Sequence, residues 1–286
     1  MRILRKILIV LVILFVIVIL GLQVFVFYIT NDLPWQKPSL DTVTPADPGS
    51  VGNNGVLIFS KTNGFRHESI PVGIAAITKA GNRLGWDVRT TENGAFFNDA
   101  YLNRFKVVVF LSTTGDVLTK AQQKAFERWV ENGGGYAGIH SASDTEYDWD
   151  WYDHLLGTHF RNHPVFPDGT PLAELVTEDR SSPMTQHLPP RWKMKNEWYN
   201  FKKDVRGTQD SIHVLLSLNE DSYKTWWPST KFYYPTKMGG DHPVSWTNVV
   251  GEGRMFYTAL GHTPESYSDS LCMPHIMAGI AWAARF

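Results

Sequence analysis

Histidines at the ends of apolar segments are the residues of this 286-residue chain best placed to do chemistry. His67, His140 and His262 each follow a short apolar segment that is typical of a buried strand. Ligands of parallel α/β sheets bind at the carboxyl ends of the strands, so three such histidines predict a common site. Imidazoles at that site could act as general acids or bases near neutral pH, or bind a divalent metal.

A carboxylate and further imidazoles extend this candidate site. Histidine with glutamate or aspartate suits zinc or another divalent metal, although the spacings match no established motif such as His-Glu-x-x-His. Without a metal, neutral histidines could carry out general acid–base catalysis. We predict catalytic roles for His140, His262 and Glu197, and ligation of a divalent metal such as zinc by His140, His163 and His262.

Substrate contacts are predicted among the residues around these groups. Trp198 and Tyr199 follow Glu197 directly, and aromatic rings can stack on sugars or simply fill a core. Asp241 is expected to orient His242 by a hydrogen bond. The predicted substrate-binding residues are His67, Ser141, Trp198, Tyr199, Asp241, His242 and Glu265.

The segment Gly138-Ile-His140-Ser141 lies where many α/β enzymes carry a nucleophile on a sharp turn after a strand. The pattern Gly-x-Ser-x-Gly is absent, which argues against a serine hydrolase, although a metal-independent hydrolase using Ser141 remains an alternative. The single cysteine, Cys272, lies elsewhere in the chain. It excludes a cysteine nucleophile at this turn, an internal disulfide and a cysteine-rich zinc site.

Hydrophobic patterns predict the elements that must position these residues. In the first half, strands alternate with helices, which is typical of βαβ units and a parallel sheet. The predicted strands are 56–60, 86–91, 106–112 and 135–140, and the predicted helices are 69–84, with Ser69 as cap, and 119–132, with Thr119 as cap. The fold class is therefore predicted as α/β, with a flavodoxin-like doubly wound parallel sheet.

The second half of the chain has a less regular pattern. Its apolar segments predict a helix at 148–156, strands at 212–218, 244–250 and 254–260, and a closing helix at 276–284. The spread of these strands indicates one sheet extended by later strands, without a second domain.

The N-terminal segment is predicted to be a transmembrane anchor. Residues 7–29 are almost continuously apolar, and about 20 helical residues span a bilayer core of about 30 Å. Arg2, Arg5 and Lys6 precede them, which places the N-terminus in the cytoplasm and the domain in the periplasm or outside the cell. A cleaved signal peptide is the alternative. The predicted organisation is an anchor at 1–30, a proline-rich linker at 31–54 and one α/β domain at 55–286.

The composition is ordinary for a globular protein, with 43% hydrophobic and 19% charged residues. The formal net charge of -1 argues against a nucleic-acid partner, because binding to a phosphate backbone needs clustered positive charge. The N-terminal segment makes the membrane an expected partner, and no oligomeric state is predicted.

Five segments, in order along the chain, resemble the ThuA-like family, which is named for trehalose utilisation. They are 64–70 (Gly-Phe-Arg-His-Glu-Ser-Ile), 133–145, 197–201 (Glu-Trp-Tyr-Asn-Phe), 241–244 (Asp-His-Pro-Val) and 257–262 (Tyr-Thr-Ala-Leu-Gly-His). That family is similar in fold to class I glutamine amidotransferases, whose nucleophile is a cysteine. His140 stands at the corresponding turn here, so amidotransferase chemistry is not implied.

The resemblance implies a role in carbohydrate metabolism, such as the processing of oxidised (keto) sugars or glycosides, and therefore a small carbohydrate as the expected partner. It also strengthens the metal interpretation. Two hypotheses follow. The protein is either a carbohydrate-active hydrolase, lyase or isomerase that works outside the cytoplasm, or a non-catalytic carbohydrate-binding or scaffold protein. The missing nucleophile favours the second hypothesis, whereas the converging histidines favour the first.

Overall fold

A computed structural model describes residues 2–29, 37–47, 49–229 and 235–286 of the chain. The predicted linker therefore lies partly outside the described residues, at 31–36 and 48. Within the described part, the helices are α1 (Arg2–Ile29), α2 (Ser69–Arg83), α3 (Asp99–Leu102), α4 (Lys120–Glu131), α5 (Asp150–Leu156) and α6 (Cys272–Ala284). The strands are β1 (Gly55–Phe59), β2 (Asp87–Thr91), β3 (Val107–Leu111), β4 (Gly135–Ile139), β5 (Phe160–Asn162), β6 (Pro164–Phe166), β7 (Leu172–Thr177), β8 (Arg191–Lys195), β9 (Asn200–Phe201), β10 (His213–Asn219), β11 (Trp226–Ser229), β12 (Pro243–Val250) and β13 (Gly253–Thr258).

Nine of these strands form one central sheet in the order β2-β1-β3-β4-β13-β12-β10-β7-β8. The first five strands are parallel to their neighbours, and their order is that of a flavodoxin-like sheet. From β13 to β8 the neighbours are antiparallel. The predicted α/β class is confirmed, and the antiparallel extension is a feature that the prediction of a parallel sheet did not include.

Helices cover both faces of the parallel part of the sheet. On one face, Phe126 of α4 stacks on Phe110 of β3 and contacts Tyr136 of β4. Gly135 precedes Tyr136 in β4, and consecutive side chains of a strand point to opposite faces. A Cβ atom added at Gly135 would meet the backbone carbonyl of Ala283 in α6, so α6 lies on the other face. The close approach of β4 to α6 fixes the strand that ends at His140.

The two predicted helix caps have different outcomes. Thr119 caps α4 as predicted: its hydroxyl accepts a hydrogen bond from the Gln122 N–H, and the Gln122 side chain accepts one from the Thr119 N–H. The prediction for Ser69 is wrong. Ser69 is the first residue of α2, and its hydroxyl donates to the carbonyl of Gly261 at 3.0 Å. The Ser69 side chain therefore ties α2 to the loop after β13.

Residues 37–47, which we call the strap, lie against the domain, and Asp41 contacts it at the carboxyl edge of the sheet. Asp41 accepts hydrogen bonds from Lys61 Nζ at 2.7 Å and from the Gly94 N–H at 2.9 Å. The backbone carbonyl of Asp41 accepts a third from Gln122 Nε2 at 2.7 Å. These partners follow β1, β2 and β3, so the described part of the predicted linker is attached to the domain beside the ends of those strands.

Helix α1 includes a 24-residue apolar stretch, Arg2–Phe25, whose side chains are not buried against the rest of the described structure. Its length and composition suit either a membrane span or a signal sequence.

The buried histidines are expected to make the folded protein less stable in acid. His275 is fully buried, and burial lowers its pKa to about 4, below the roughly 6.5 of an unfolded histidine. The unfolded state therefore takes up the proton first as pH falls. The neutral His275 contributes about 3 kcal/mol to the free energy of unfolding. This contribution is fully present above about pH 6.5 and is lost as the pH falls towards about 4. His159 has the same direction of shift and adds to this loss.

Urea unfolding at about pH 7 and about pH 4.5 measures this effect. Between these two pH values, the free energy of unfolding should fall by about 2 kcal/mol less in the His275→Gln variant than in the unsubstituted protein. An equal loss in both proteins would contradict the assignment to His275.

Candidate functional site

Four side chains converge at the carboxyl edge of the sheet: His67, His140, Glu197 and His262, here called the His/Glu cluster. Their ligand atoms all lie within 4.8 Å of one another. His140 Nε2 lies 3.1 Å from both His67 Nε2 and His262 Nδ1. Glu197 Oε2 lies 3.2 Å from His262 Nδ1 and 3.5 Å from His140 Nε2. Residues from four distant parts of the chain therefore share one small space.

The three histidines lie directly after strands or in the loops that follow them. His67 lies in the loop after β1, His140 follows β4 directly, and His262 lies in the loop after β13. His140 has a φ of 52°, in the left-handed region that costs energy for a residue with a Cβ atom. The Tyr257 hydroxyl donates to the His140 carbonyl at 2.8 Å and helps to hold this conformation. The strained turn after β4 thus carries an imidazole where the sequence predicted a nucleophile-type turn.

Glu197 reaches the cluster from β8, on the far edge of the sheet. The buried side chain of Asn196 donates to the carbonyl of Ala259, at 3.1 Å, and accepts a hydrogen bond from the His262 N–H at 3.2 Å. Asn196 therefore fixes both the loop that carries Glu197 and the loop that carries His262. Asn196 is not among the residues predicted from the sequence, although its position next to Glu197 was an available signal.

The hydrogen bonds of His140 define which of its nitrogens faces the cluster. Nδ1 lies 3.0 Å from the carbonyl of Ala259, which can only accept, so Nδ1 carries the proton and Nε2 presents a lone pair. Burial lowers the pKa of His140 and holds the ring neutral. His67 is also buried, and its pKa is well below the usual value, chiefly because of burial.

Glu197 supplies negative charge to these neutral rings. Its burial would raise the pKa of the carboxyl, but the imidazoles of His163, His140 and His262 outweigh that effect and hold the pKa well below its usual range. The cluster thus combines an ionised carboxylate with imidazole nitrogens that point inward.

The donor set of the cluster fits a divalent metal ion. Three imidazoles and one carboxylate are ligands that zinc prefers, and zinc bonds of about 2.0–2.1 Å in a tetrahedron would place neighbouring ligand atoms about 3.4 Å apart. The measured separations of 3.1, 3.1, 3.2 and 3.5 Å are close to that value. His67 Nε2 and Glu197 Oε2 are farther apart, at 4.0 Å, and no two of the four ligand atoms are more than 4.8 Å apart. The inward lone pairs would repel one another unless a cation or shared protons lay between them.

Comparison with known proteins identifies the family of this chain. The sequence matches the ThuA family, described as trehalose utilisation, over residues 55–283, which is well over half of the chain. The chain belongs to the ThuA family. A search of curated proteins finds no significant match.

Solved structures agree with this family assignment in fold. A protein of Bacteroides uniformis described as ThuA-like is 23% identical, with a TM-score of 0.67 over 84% of this chain and 95% of its own. A protein of Parabacteroides merdae, also described as ThuA-like, is 20% identical, with a TM-score of 0.59 over 81% of this chain and 90% of its own. At these identities the similarity establishes the fold alone.

The donor set in this ThuA protein differs from the predicted metal set of His140, His163 and His262. His163 Nε2 lies 3.2 Å from Oε1 of Glu197, the oxygen that does not face the other histidines. His67 takes its place among the converging ligand atoms. His163 therefore contacts a cluster carboxylate, and His67, predicted to bind substrate, belongs to the cluster itself.

Ser141 contacts His67 on the side of its ring that faces away from the rest of the cluster. Its hydroxyl lies 3.3 Å from His67 Nδ1, on the side of the ring away from the other histidines. Ser141 is fully buried, so the prediction that it contacts substrate is not supported by its position.

The aromatic residues predicted to stack on a sugar are buried. Trp198 is 0% exposed, and its Nε1–H donates to the carbonyl of Pro171. Tyr199 is 2% exposed, and its ring packs against His140 with a centroid distance of 4.4 Å. Neither ring can form a sugar-binding face in this structure. Their hydrophobic area fills the core beneath the site, which is the alternative that the sequence left open.

The expected pairing of Asp241 with His242 is wrong. Asp241 pairs with Arg206 on the surface, whereas His242 is fully buried and lies 2.9 Å from the carboxylate of Glu220. The other ring nitrogen of His242 is 2.7 Å from the carbonyl of Tyr199. His242 thus holds the backbone beneath the cluster, and the positioning carboxylate, Glu220, was missed.

Glu265 also lies apart from the cluster. It is exposed on the short 3-10 turn Pro264–Tyr267 that follows His262. Of the predicted site residues, the structure therefore brings together His67, His140, Glu197 and His262, with His163, Ser141 and Tyr199 against them.

Proposed function

We propose that this ThuA-family protein is an enzyme that acts on a glycoside or an oxidised (keto) glycoside at the His/Glu cluster. The observation that carries the proposal is the convergence of three imidazoles and one carboxylate from four separate segments. A site of this kind suits a hydrolase, lyase or isomerase, each of which moves protons at a carbon or oxygen of the sugar. The family's description as trehalose utilisation supports the carbohydrate class.

We further propose that His67, His140, Glu197 and His262 hold a divalent metal such as zinc. When bound, the ion would polarise a hydroxyl or carbonyl oxygen of the substrate and ease removal of a proton beside it. His140 is oriented for this role by its hydrogen bond to the carbonyl of Ala259, and His67 by Ser141.

Access to the cluster defines the side from which substrate would approach. The side chains of His262 and His163 are 21% and 16% exposed, whereas those of His67 and His140 are 4% and 0% exposed. A substrate would therefore meet His262 and His163 first. We propose His163 as the group that transfers a proton, because it lies beside the cluster and is not one of the four converging ligands.

We also propose that α1 anchors the protein in a membrane with its N-terminus in the cytoplasm and its domain outside. Arg2, Arg5 and Lys6 at the start of the helix support this orientation, because positive charge is retained on the cytoplasmic side. The length of the apolar stretch supports an anchor over a cleaved signal peptide, whose apolar region is usually about 7–15 residues.

Metal removal provides the direct test of the catalytic proposal. The full-length protein, purified in detergent, should contain about one divalent ion per chain by elemental mass spectrometry. It should also convert at least one member of a panel of native and 3-keto glycosides. Treatment with a chelator should abolish turnover, and added zinc should restore it.

The other outcomes are equally informative. Turnover that survives complete metal removal would leave the histidines as acid–base groups alone. Sugar binding without any product would establish the alternative, a non-catalytic carbohydrate-binding protein, which His140 in place of a nucleophile also favours.

A further inference from the structure

An exposed aromatic ring lies beside the His/Glu cluster. Phe65 is 45% exposed, and its ring contacts the His67 ring edge-to-face with a centroid distance of 4.9 Å. Among the described residues, the aromatic ring contacts of the four cluster residues, apart from those among the histidines themselves, are Phe65 with His67 and Tyr199 with His140. Tyr199 is buried, so of these two rings only Phe65 is open to a ligand.

The backbone around Phe65 is fixed, although its ring is exposed. The Thr114 hydroxyl donates to the carbonyl of Phe65 at 2.9 Å and accepts from the Gly64 N–H at 3.1 Å. The Asn63 N–H donates to the Thr114 carbonyl at 2.8 Å. These bonds connect the loop after β1 to the loop after β3 and fix the backbone position of Phe65.

We propose that Phe65 is the sugar-stacking residue of this site, a role that rests on the proposed function. A pyranose has an apolar face of C–H groups, which packs well on an aromatic ring and is poorly hydrated. A ring whose oxygen lies at the cluster can place that face against Phe65, because Phe65 contacts a cluster histidine directly. Phe65 thereby takes the role that the sequence assigned to Trp198 and Tyr199.

This role gives Phe65 a selective effect on ligands. Sugars that present an uninterrupted C–H face should bind better than epimers with an axial hydroxyl on that face, since the hydroxyl would lose hydration against the ring. The residue is a binding group, and it does not take part in holding the proposed metal.

Calorimetric titration of the full-length protein in detergent with trehalose and methyl glucoside tests the proposal. We expect Phe65→Ala and Phe65→Leu to weaken sugar binding about tenfold, whereas Phe65→Trp retains it. The leucine variant keeps apolar volume but lacks the ring, so it separates stacking from loop packing. The matched control is Phe286→Ala, because Phe286 is 43% exposed and packs on Trp86.

Two failures are distinguishable. If the unsubstituted protein binds neither sugar nor any member of the glycoside panel, the proposed function fails, and the role of Phe65 fails with it. If the unsubstituted protein binds sugar and the alanine and leucine variants bind equally well, the proposal for Phe65 alone is overturned. Unchanged metal content and melting temperature in the variants would show that the cluster and fold are intact.

Discussion

Replacement of His140 by asparagine is expected to abolish binding of the proposed metal and to lower the proposed turnover by about 10²- to 10⁴-fold. His140 Nε2 lies at the centre of the cluster, within 3.1 Å of two imidazole nitrogens and 3.5 Å of Glu197. Asparagine is among the residues that best tolerate the left-handed φ of 52° at this position. It is also too short to replace the imidazole. Elemental analysis and steady-state kinetics measure the two effects.

A matched histidine provides the control for this experiment. His213 is exposed on β10 and pairs with Asp179, so His213→Ala removes an imidazole without touching the cluster. We expect its metal content and turnover to be unchanged. Full activity in the His140→Asn variant would exclude His140 from the chemistry, and loss of activity with metal retained would make it an acid–base group.

Replacement of Gly135 by alanine is expected to cost about 3 kcal/mol of stability, near the upper end for overpacking. The added Cβ atom would lie 3.0 Å from the carbonyl oxygen of Lys106 and closer still to that of Ala283. Both obstacles are backbone atoms, so no side-chain rotation can relieve the contact. Because His140 directly follows β4, any displacement of the strand should also lower turnover. Urea unfolding monitored by circular dichroism gives the stability change.

The control for Gly135 is a glycine in open space. Gly169 has no atoms within 4 Å of an added Cβ, and Gly169→Ala should change the free energy of unfolding by less than about 0.5 kcal/mol. Equal stability of the two variants would contradict the close approach of β4 to α6.

The first half of the fold could be predicted because each element there has a local signal. The segments around β1, β3 and β4 are short apolar runs, and all three strands are completely buried. Thr119 carries a capping box that fixes the start of α4. Strand ends bring His67, His140 and His262 to one edge by topology alone, which is why these histidines could be grouped from sequence.

The second half was less predictable, partly because a usable signal was missed. Strand β8 reads Arg-Trp-Lys-Met-Lys, with strict alternation of exposed and buried side chains, and neither β8 nor β7 was predicted. Helix α6 begins at Cys272, four positions before the predicted 276.

The position of Glu197 depends on contacts that no local pattern contains. It follows the edge strand β8 and reaches the cluster through hydrogen bonds of Asn196 to the loop after β13. Sequence spacing also could not distinguish His67 from His163 as a ligand, because the choice depends on which oxygen of Glu197 each imidazole faces. The burial of Trp198 and Tyr199, which excludes them as sugar-stacking residues, was also not predictable, because the exposure of a ring depends on the packing of the whole domain.

The strap limits how far the domain could lie from a membrane that holds α1. With α1 held in a bilayer, eight peptide steps connect Ile29 to Lys37, a contour length of at most about 29 Å. The strap is fastened through Asp41 to the loop after β1, which also carries Phe65 and His67. The proposed active site would then remain within a thin layer of solvent above the lipid headgroups, so that a substrate would have to reach it close to the membrane surface.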